Sequence, residues 1–148
     1  MNVELTEEQE SVKLAARDFA KVELLPGVIE RDEKQEFPTE QIKKLGELGF
    51  MGMMVSPDYG GGGMDTQCYV HAMEEISKVD ASVGVILSVN NSLVCWGLEH
   101  FGTEEQKQKY LIPLATGKNI GAFCLSEPEA GSDATSQQTT AIDKEIGR

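Results

Sequence analysis

The sequence predicts a mostly α-helical domain that runs, near its C-terminal end, into the first strand of a β-structure. Three observations predict it. Apolar residues recur at three- and four-residue spacing through most of the chain. Two Thr-x-x-Gln boxes, Thr6 to Gln9 and Thr103 to Gln106, mark helix starts. The helical period stops after Gly117, and Ile120 to Leu125 is apolar and mildly alternating. Residues 1–118 are therefore expected to form a helical domain, and residues 119–148 the incomplete start of a β-domain. A single strand makes no sheet, so either it stays unpaired or its partners lie outside this chain.

In order along the chain, the Thr6 box opens a first helix whose apolar stripe is Val12, Ala15, Ala16, Phe19 and Val22. Pro26-Gly27 interrupts it, and Val28 to Lys34 reads as a short second helix. Pro38 suits the first turn of a third, with stripe Ile42, Leu45 and Leu48 and Gly49 as its stop. Gly60 to Gly63 reads as a linker; with no preceding β-branched strand and no GK[ST] it does not make a phosphate loop. From Asp65 the pattern is helical again, with Val70, Met73, Ile76 and Val79 inside and Glu74-Glu75 outside. Asp80 caps the most apolar helix, which carries no charge from Ala81 to Leu98. That length approaches a membrane span, but Ser82, Ser88, Asn90, Asn91 and Ser92 interrupt it, and a helix buried in protein is the expectation. Asn90 and Asn91 must then find hydrogen-bond partners, either in neighbouring backbone or in a ligand pocket. The Thr103 box starts a last helix carrying Tyr110, Leu111 and Leu114.

Composition narrows the function. The 148-residue chain is 40% hydrophobic, enough for a core, and its net charge of −12 argues against duplex DNA or an anionic membrane as partner. Cys68, Cys95 and Cys124 lie about thirty residues apart and form no CxxC pair, so no metal site is expected and a reduced, cytoplasmic setting fits, a processed mitochondrial form being the alternative. The N-terminus has neither a basic n-region nor an apolar h-region. His71 and His100 lie far apart without a serine or cysteine nucleophile in any recognisable motif, and no catalytic residue is expected in this chain. What remains is Phe123 to Ala134, where the apolar run opens through Pro128 onto Gly131-Ser132-Asp133, a turn of small residues with free donors that can lie against a flat or anionic ligand.

Cys124-Leu-Ser-Glu-Pro-Glu-Ala-Gly-Ser-Asp133, followed by Ala-Thr-Ser136, resembles over its full length the first signature pattern of the acyl-CoA dehydrogenase family. Tyr59-Gly-Gly, Ser88-Val-Asn-Asn-Ser-Leu93 and Phe101-Gly-Thr-Glu-Glu-Gln-Lys107 are also similar to that family, most closely to its short-chain, butyryl-type members. The resemblance implies the N-terminal helical-bundle domain, with the first strand of the following β-domain, of a homotetrameric FAD flavoprotein. Such an enzyme of fatty-acid β-oxidation converts short-chain acyl-CoA to the 2,3-enoyl-CoA and passes electrons to electron-transfer flavoprotein. The motif implies that Phe123, Leu125 and Ser126 approach the isoalloxazine ring, with the Ser126 hydroxyl near N5. By the same resemblance Cys124 and Gly131 would belong to the cofactor segment, and Ser132 would sit where the family contacts the CoA portion and the flavin diphosphate. Asn90 and Leu93 would wall the acyl slot. Glu129 departs from the glycine that many members carry, placing a charge near the cofactor turn. The family's catalytic glutamate, in a C-terminal domain, has no counterpart here, so this chain alone is expected to be inactive. An acyl-CoA oxidase-like flavoenzyme and a non-catalytic helical self-association module are the alternatives.

Overall fold

The structure, a computed structural model, describes residues 4–142. Helix α1 (Glu7–Phe19) opens on the expected box: the Gln9 N–H donates to Thr6 Oγ1 at 3.2 Å, and the Thr6 N–H to Gln9 Oε1 at 3.1 Å. Gln9 is itself buried and reaches across to residues 65–67, its Nε2 donating to Gln67 Oε1 at 2.6 Å and Asp65 Oδ2 at 3.0 Å. The helix continues through a π-helical segment, Ala20–Leu24, whose wider turn rotates the inner face. Ala16, Phe19, Ala20 and Leu24 are therefore buried, whereas Ala15 and Val22, expected inside, face out.

Helix α2 (Val28–Lys34) follows Gly27, which takes φ +75°, and buries no residue fully. Arg31 ties it down: Nη2 donates to the Leu24 carbonyl at 2.7 Å and to Asp80 Oδ2 at 3.2 Å, and Nη1 to the Pro26 carbonyl at 2.9 Å. Helix α3 (Thr39–Glu47) buries Ile42 and Leu45, leaves Leu48 exposed, and ends at Gly49 with φ +81°; Pro38 sits at its cap position rather than in the first turn.

Phe50, Met51, Met53 and Val55 are buried, and the glycine loop is fastened onto this stretch. The N–H groups of Gly61, Gly62 and Gly63 donate to the carbonyls of Ser56 (3.2 Å), Gly52 (2.9 Å) and Val55 (2.8 Å). Those amides are thus spent on protein, which explains physically why the run is no phosphate cradle. At Gly61 a Cβ would lie 2.1 Å from the Val55 carbonyl oxygen, so the close backbone approach requires glycine.

Helix α4 (Thr66–Ser77), capped by Asp65 on the Cys68 N–H at 2.7 Å, packs on α1. Its buried stripe is Cys68, Ala72 and Ile76, at steps of four. The expected three-residue series drifts backward around the helix at each step, which leaves Val70 exposed. Glu75, expected outside, is buried and pairs with Lys78 at 3.0 Å. Asp80 caps α5 (Ala81–Ser88) through the Val83 N–H at 3.1 Å. α5, the π-helical segment Val89–Cys95 and α6 (Trp96–Phe101) form one continuous helix, long and apolar enough by length and composition to cross a membrane. Val83, Leu87, Asn90, Asn91 and Cys95 on its inner side are nevertheless buried in protein. α7 (Glu104–Gln106), a π-helical segment Lys107–Leu111 and α8 (Ile112–Ala115) complete the helical body, with the Thr103 box formed as expected. Leu111 and Leu114 are buried, while Tyr110 is half exposed.

Two apolar clusters result, one among α1, α3, α4 and α5, the other uniting Val55, Cys95, Leu111, Leu114 and Ala115. Among the described residues no strand ladder forms; the expected first strand, from Ile120 to Leu125, is unpaired, and the only bridge is Glu127 with Ala130. Among the described residues the pairing groups of this extended stretch meet no second strand.

Candidate functional site

The site begins inside the long helix. Asn90 is fully buried, and its Nδ2 donates to the Met51 carbonyl at 2.7 Å and the Leu114 carbonyl at 3.3 Å. Its Oδ1 accepts the Gly121 N–H at 2.8 Å. Asn91 does the parallel job for the preceding turn, donating to the Phe50 and Leu87 carbonyls at 2.9 and 3.1 Å and accepting the Met53 N–H at 2.9 Å. Of the two fates open to these amides, backbone partners take both. Asn90 is therefore tied to the motif's leading segment through Gly121, and both ends of its amide are engaged by backbone. Gly121 is pressed against the helix, since a Cβ there would meet Val94 side-chain carbons at 2.9 Å.

Beyond that anchor the chain swings into solvent. Phe123 and Leu125 are 53% and 43% exposed, and Cys124, Ser126, Gly131 and Ser132 are exposed as well. Leu93, three residues beyond Asn90, is half exposed on the outer face that also carries Val85 and Trp96. Leu93 and the motif are thus both accessible, whereas Asn90 is buried.

The motif folds into a closed loop of its own. Glu127 and Ala130 exchange two backbone hydrogen bonds of 3.1 Å, a tight turn with Pro128 and Glu129 at its tip. The Glu127 carboxylate accepts the Gln138 N–H at 2.7 Å and the Thr139 N–H at 3.1 Å, and Gln137 Nε2 donates to the Leu125 carbonyl at 2.7 Å. Asp133 accepts the Ser136 hydroxyl at 2.6 Å and the Thr135 N–H at 3.1 Å, capping the short turn Ala134–Ser136. The bonds from Gln138 and then Thr139 hold the Glu127 carboxyl below its ordinary range; those from Ser136 and then Thr135 do the same for Asp133.

Against these engaged groups, the hydroxyls and main-chain N–H groups of Ser126 and Ser132 take part in no hydrogen bond among the described residues. At Gly131 a Cβ would meet nothing within 4 Å. Two exposed apolar side chains followed by free hydroxyl and amide donors fit a flat aromatic ring with a polar edge, and the Gly131-Ser132 donors fit an anionic group beside it. Among the described residues no three His, Cys, Asp or Glu side chains come together to hold a metal ion. Glu127 and Gln137 escaped the sequence reading because their role is a contact across the loop; neither hydropathy nor period marks it.

Two other stretches meet away from this segment. The Tyr59 hydroxyl donates to Glu104 Oε2 at 2.9 Å and the Lys107 ammonium lies 5.3 Å from the Tyr59 ring centre, joining the glycine loop to α7. That hydrogen bond raises the Tyr59 pKa; Gln108 and then Tyr59 lower that of Glu104.

Residues 6–118 match the family model for the acyl-CoA dehydrogenase N-terminal domain. The short-chain specific acyl-CoA dehydrogenase of Clostridium acetobutylicum is 50% identical over 142 residues, which is 96% of this chain and 38% of that protein. A chain from the structure of an electron transferring flavoprotein of Acidaminococcus fermentans is 49% identical with a TM-score of 0.93, over 97% of this chain and 38% of that one. Butyryl-CoA dehydrogenase of Megasphaera elsdenii is 43% identical with a TM-score of 0.87, over 94% and 37% of the two chains. An acyl-CoA dehydrogenase of Bacillus anthracis, solved in complex with FAD, is 30% identical with a TM-score of 0.84, over 90% and 23%. The chain thus spans less than two-fifths of the length of the proteins it matches.

Proposed function

The chain belongs to the acyl-CoA dehydrogenase family, and we propose that it supplies the helical wall and the first cofactor-facing turn of an FAD-dependent enzyme oxidising short-chain acyl-CoA to the 2,3-enoyl-CoA. The observation that carries this reading is the exposed Phe123 to Ser126 and Gly131-Ser132 set, in which the Ser126 and Ser132 hydroxyls and N–H groups make no hydrogen bond among the described residues, anchored through Gly121 to the buried Asn90. The similarity to short-chain and butyryl-CoA dehydrogenases supports the substrate class, and the FAD complex of the Bacillus anthracis protein supports the cofactor.

Bound FAD supplies the acceptor for the two electrons withdrawn from the acyl Cα–Cβ bond. The residues of this chain hold and shield. Phe123 and Leu125 would give the ring an apolar face, and the Ser126 hydroxyl and N–H would donate to its polar edge. Gly131 and Ser132 leave room and a donor for the diphosphate or the CoA portion. The outer face of the long helix at Leu93 excludes water from the acyl chain, each buried methylene contributing about 0.8 kcal/mol. The general base is no residue of this chain.

The division near residue 118, where the N-terminal-domain match ends, supports a helical domain followed by the start of a second one. The reading extends to electron-transfer flavoprotein as the electron acceptor, to a homotetramer, and to the cytoplasm, where the exposed thiol of Cys124 stays reduced. It is tested by anaerobic assay of the 148-residue chain with butyryl-CoA and an artificial electron acceptor. No turnover, together with flavin-fluorescence quenching at high FAD concentration, is expected; turnover would overturn the assignment of the base elsewhere, and no quenching the cofactor role of the turn. A second reading, a helical self-association module, draws on the exposed Val85, Leu93, Trp96 and Phe101. A colourless preparation that self-associates and ignores FAD would favour it.

A further inference from the structure

The turn that presents Ser126 and Ser132 is not held by the helical body. The Asn90 bond to Gly121 lies upstream, and from Leu125 onward the polar ties run within the loop. Among those ties Glu127 has a place no other residue shares. Its backbone closes the 127–130 turn with Ala130, and both oxygens of its side chain fasten the returning chain at Gln138 and Thr139. Ser126 precedes it, and Gly131-Ser132 follow the turn it closes. The neighbouring carboxylate Glu129 is exposed and accepts no hydrogen bond among the described residues, so the two acids of this turn differ in connection rather than in charge.

We propose that Glu127 is a positioning residue for the cofactor: by clamping Gln138 and Thr139 it sets the turn before any ligand arrives, holding the free donors of Ser126 and Ser132 in place for FAD. The physical basis is preorganisation. A carboxylate accepting two main-chain N–H groups makes two charge-assisted bonds, and a donor already fixed loses less conformational freedom when the ligand binds. The inference rests on the flavin reading above, but the clamp itself needs no flavin to be seen.

The test therefore has two arms on the 148-residue chain, comparing the unaltered sequence with Glu127→Ala, Glu127→Gln and Glu129→Ala. Without ligand, hydrogen exchange followed by NMR reads the Gln138 and Thr139 amides. Glu127→Ala is expected to speed their exchange at least about tenfold, Glu127→Gln, which keeps one carbonyl acceptor, by less, and Glu129→Ala not at all. With FAD titrated to high concentration, flavin-fluorescence quenching and the Ser126 and Ser132 amide shifts read binding. Glu127→Ala is expected to weaken binding about tenfold, Glu127→Gln to recover part of it, and Glu129→Ala not to weaken it. Unchanged exchange in Glu127→Ala overturns the clamp. Faster exchange with undiminished FAD binding, or an equal loss in Glu129→Ala, overturns the positioning role. If the unaltered chain shows neither quenching nor shifts, the flavin reading of this turn falls and takes the positioning role with it, while the exchange arm still decides whether the clamp exists.

Discussion

Replacing Asn90 by alanine tests the joint on which the site depends. In Asn90→Ala the Leu114 carbonyl keeps the Gly117 N–H at 3.1 Å, but the Met51 carbonyl and the Gly121 N–H lose the partners they now have at 2.7 and 2.8 Å. A buried polar group left unpaired costs about 1–3 kcal/mol, and truncating the buried side chain adds a small cavity, so the loss should be about 3 kcal/mol. A domain of this size has about 5–15 kcal/mol in all, so the variant should remain folded with a visibly lower urea midpoint. Asn91→Ala provides the contrast. It breaks as many backbone bonds, to Phe50, Leu87 and Met53, but none beyond the helical body. Both variants should lose comparable stability by urea unfolding followed by circular dichroism, while hydrogen exchange at the Gly121 N–H should rise markedly more in Asn90→Ala. A loss below about 1 kcal/mol, or an equal loss of Gly121 protection in Asn91→Ala, would refute the reasoning.

Four further outcomes follow from the packing and the charges. Arg31→Ala takes the charged partner from Asp80 Oδ2, leaving that 7% exposed side chain only the Val83 N–H, and breaking such a buried pair from one side should cost about 3 kcal/mol in urea unfolding. Gly52→Ala sets a Cβ 2.7 Å from Ala115 and should cost about 1–3 kcal/mol, whereas Gly97→Ala, in helical backbone with nothing within 4 Å, should stabilise by about 0.5–1 kcal/mol; thermal melts check both signs. Burial raises the Cys68 thiol to about 11 and the Cys95 thiol to about 12, so a disulfide reagent at neutral pH should titrate Cys124 alone in the folded chain and all three after denaturation. Because Glu127 and Asp133 titrate below their unfolded values, their contribution to loop order is present above the ordinary carboxylate range and is lost as pH falls through the lowered folded values. Exchange at Gln138 and Thr139, corrected for its intrinsic pH dependence, should therefore lose protection only in that acid window; protection persisting below it would sink the carboxylate account.

Much of this protein was determined by local sequence. The Thr6 and Thr103 boxes, the Asp65 and Asp80 caps and the glycines at 27 and 49 act over three or four residues, so their effect could be read directly. The family-like motif was legible for the same reason, as a contiguous string from Phe123 to Ser136. What only the tertiary structure decided lies across long separations. The π-helical segment after Phe19 turned Val22 outward and Leu24 inward, and packing on α1 chose the four-step stripe Cys68, Ala72, Ile76 over the three-step one. Asn90 was legible as a buried amide in need of partners, but its choice of Met51, Leu114 and Gly121 over a ligand depended on which carbonyls and amides folding brought within 3.3 Å. Glu127 was visible as a motif letter and its clamp was not, because a carboxylate's partners are fixed by where the chain returns, and the return at Gln138 and Thr139 is a property of the folded loop.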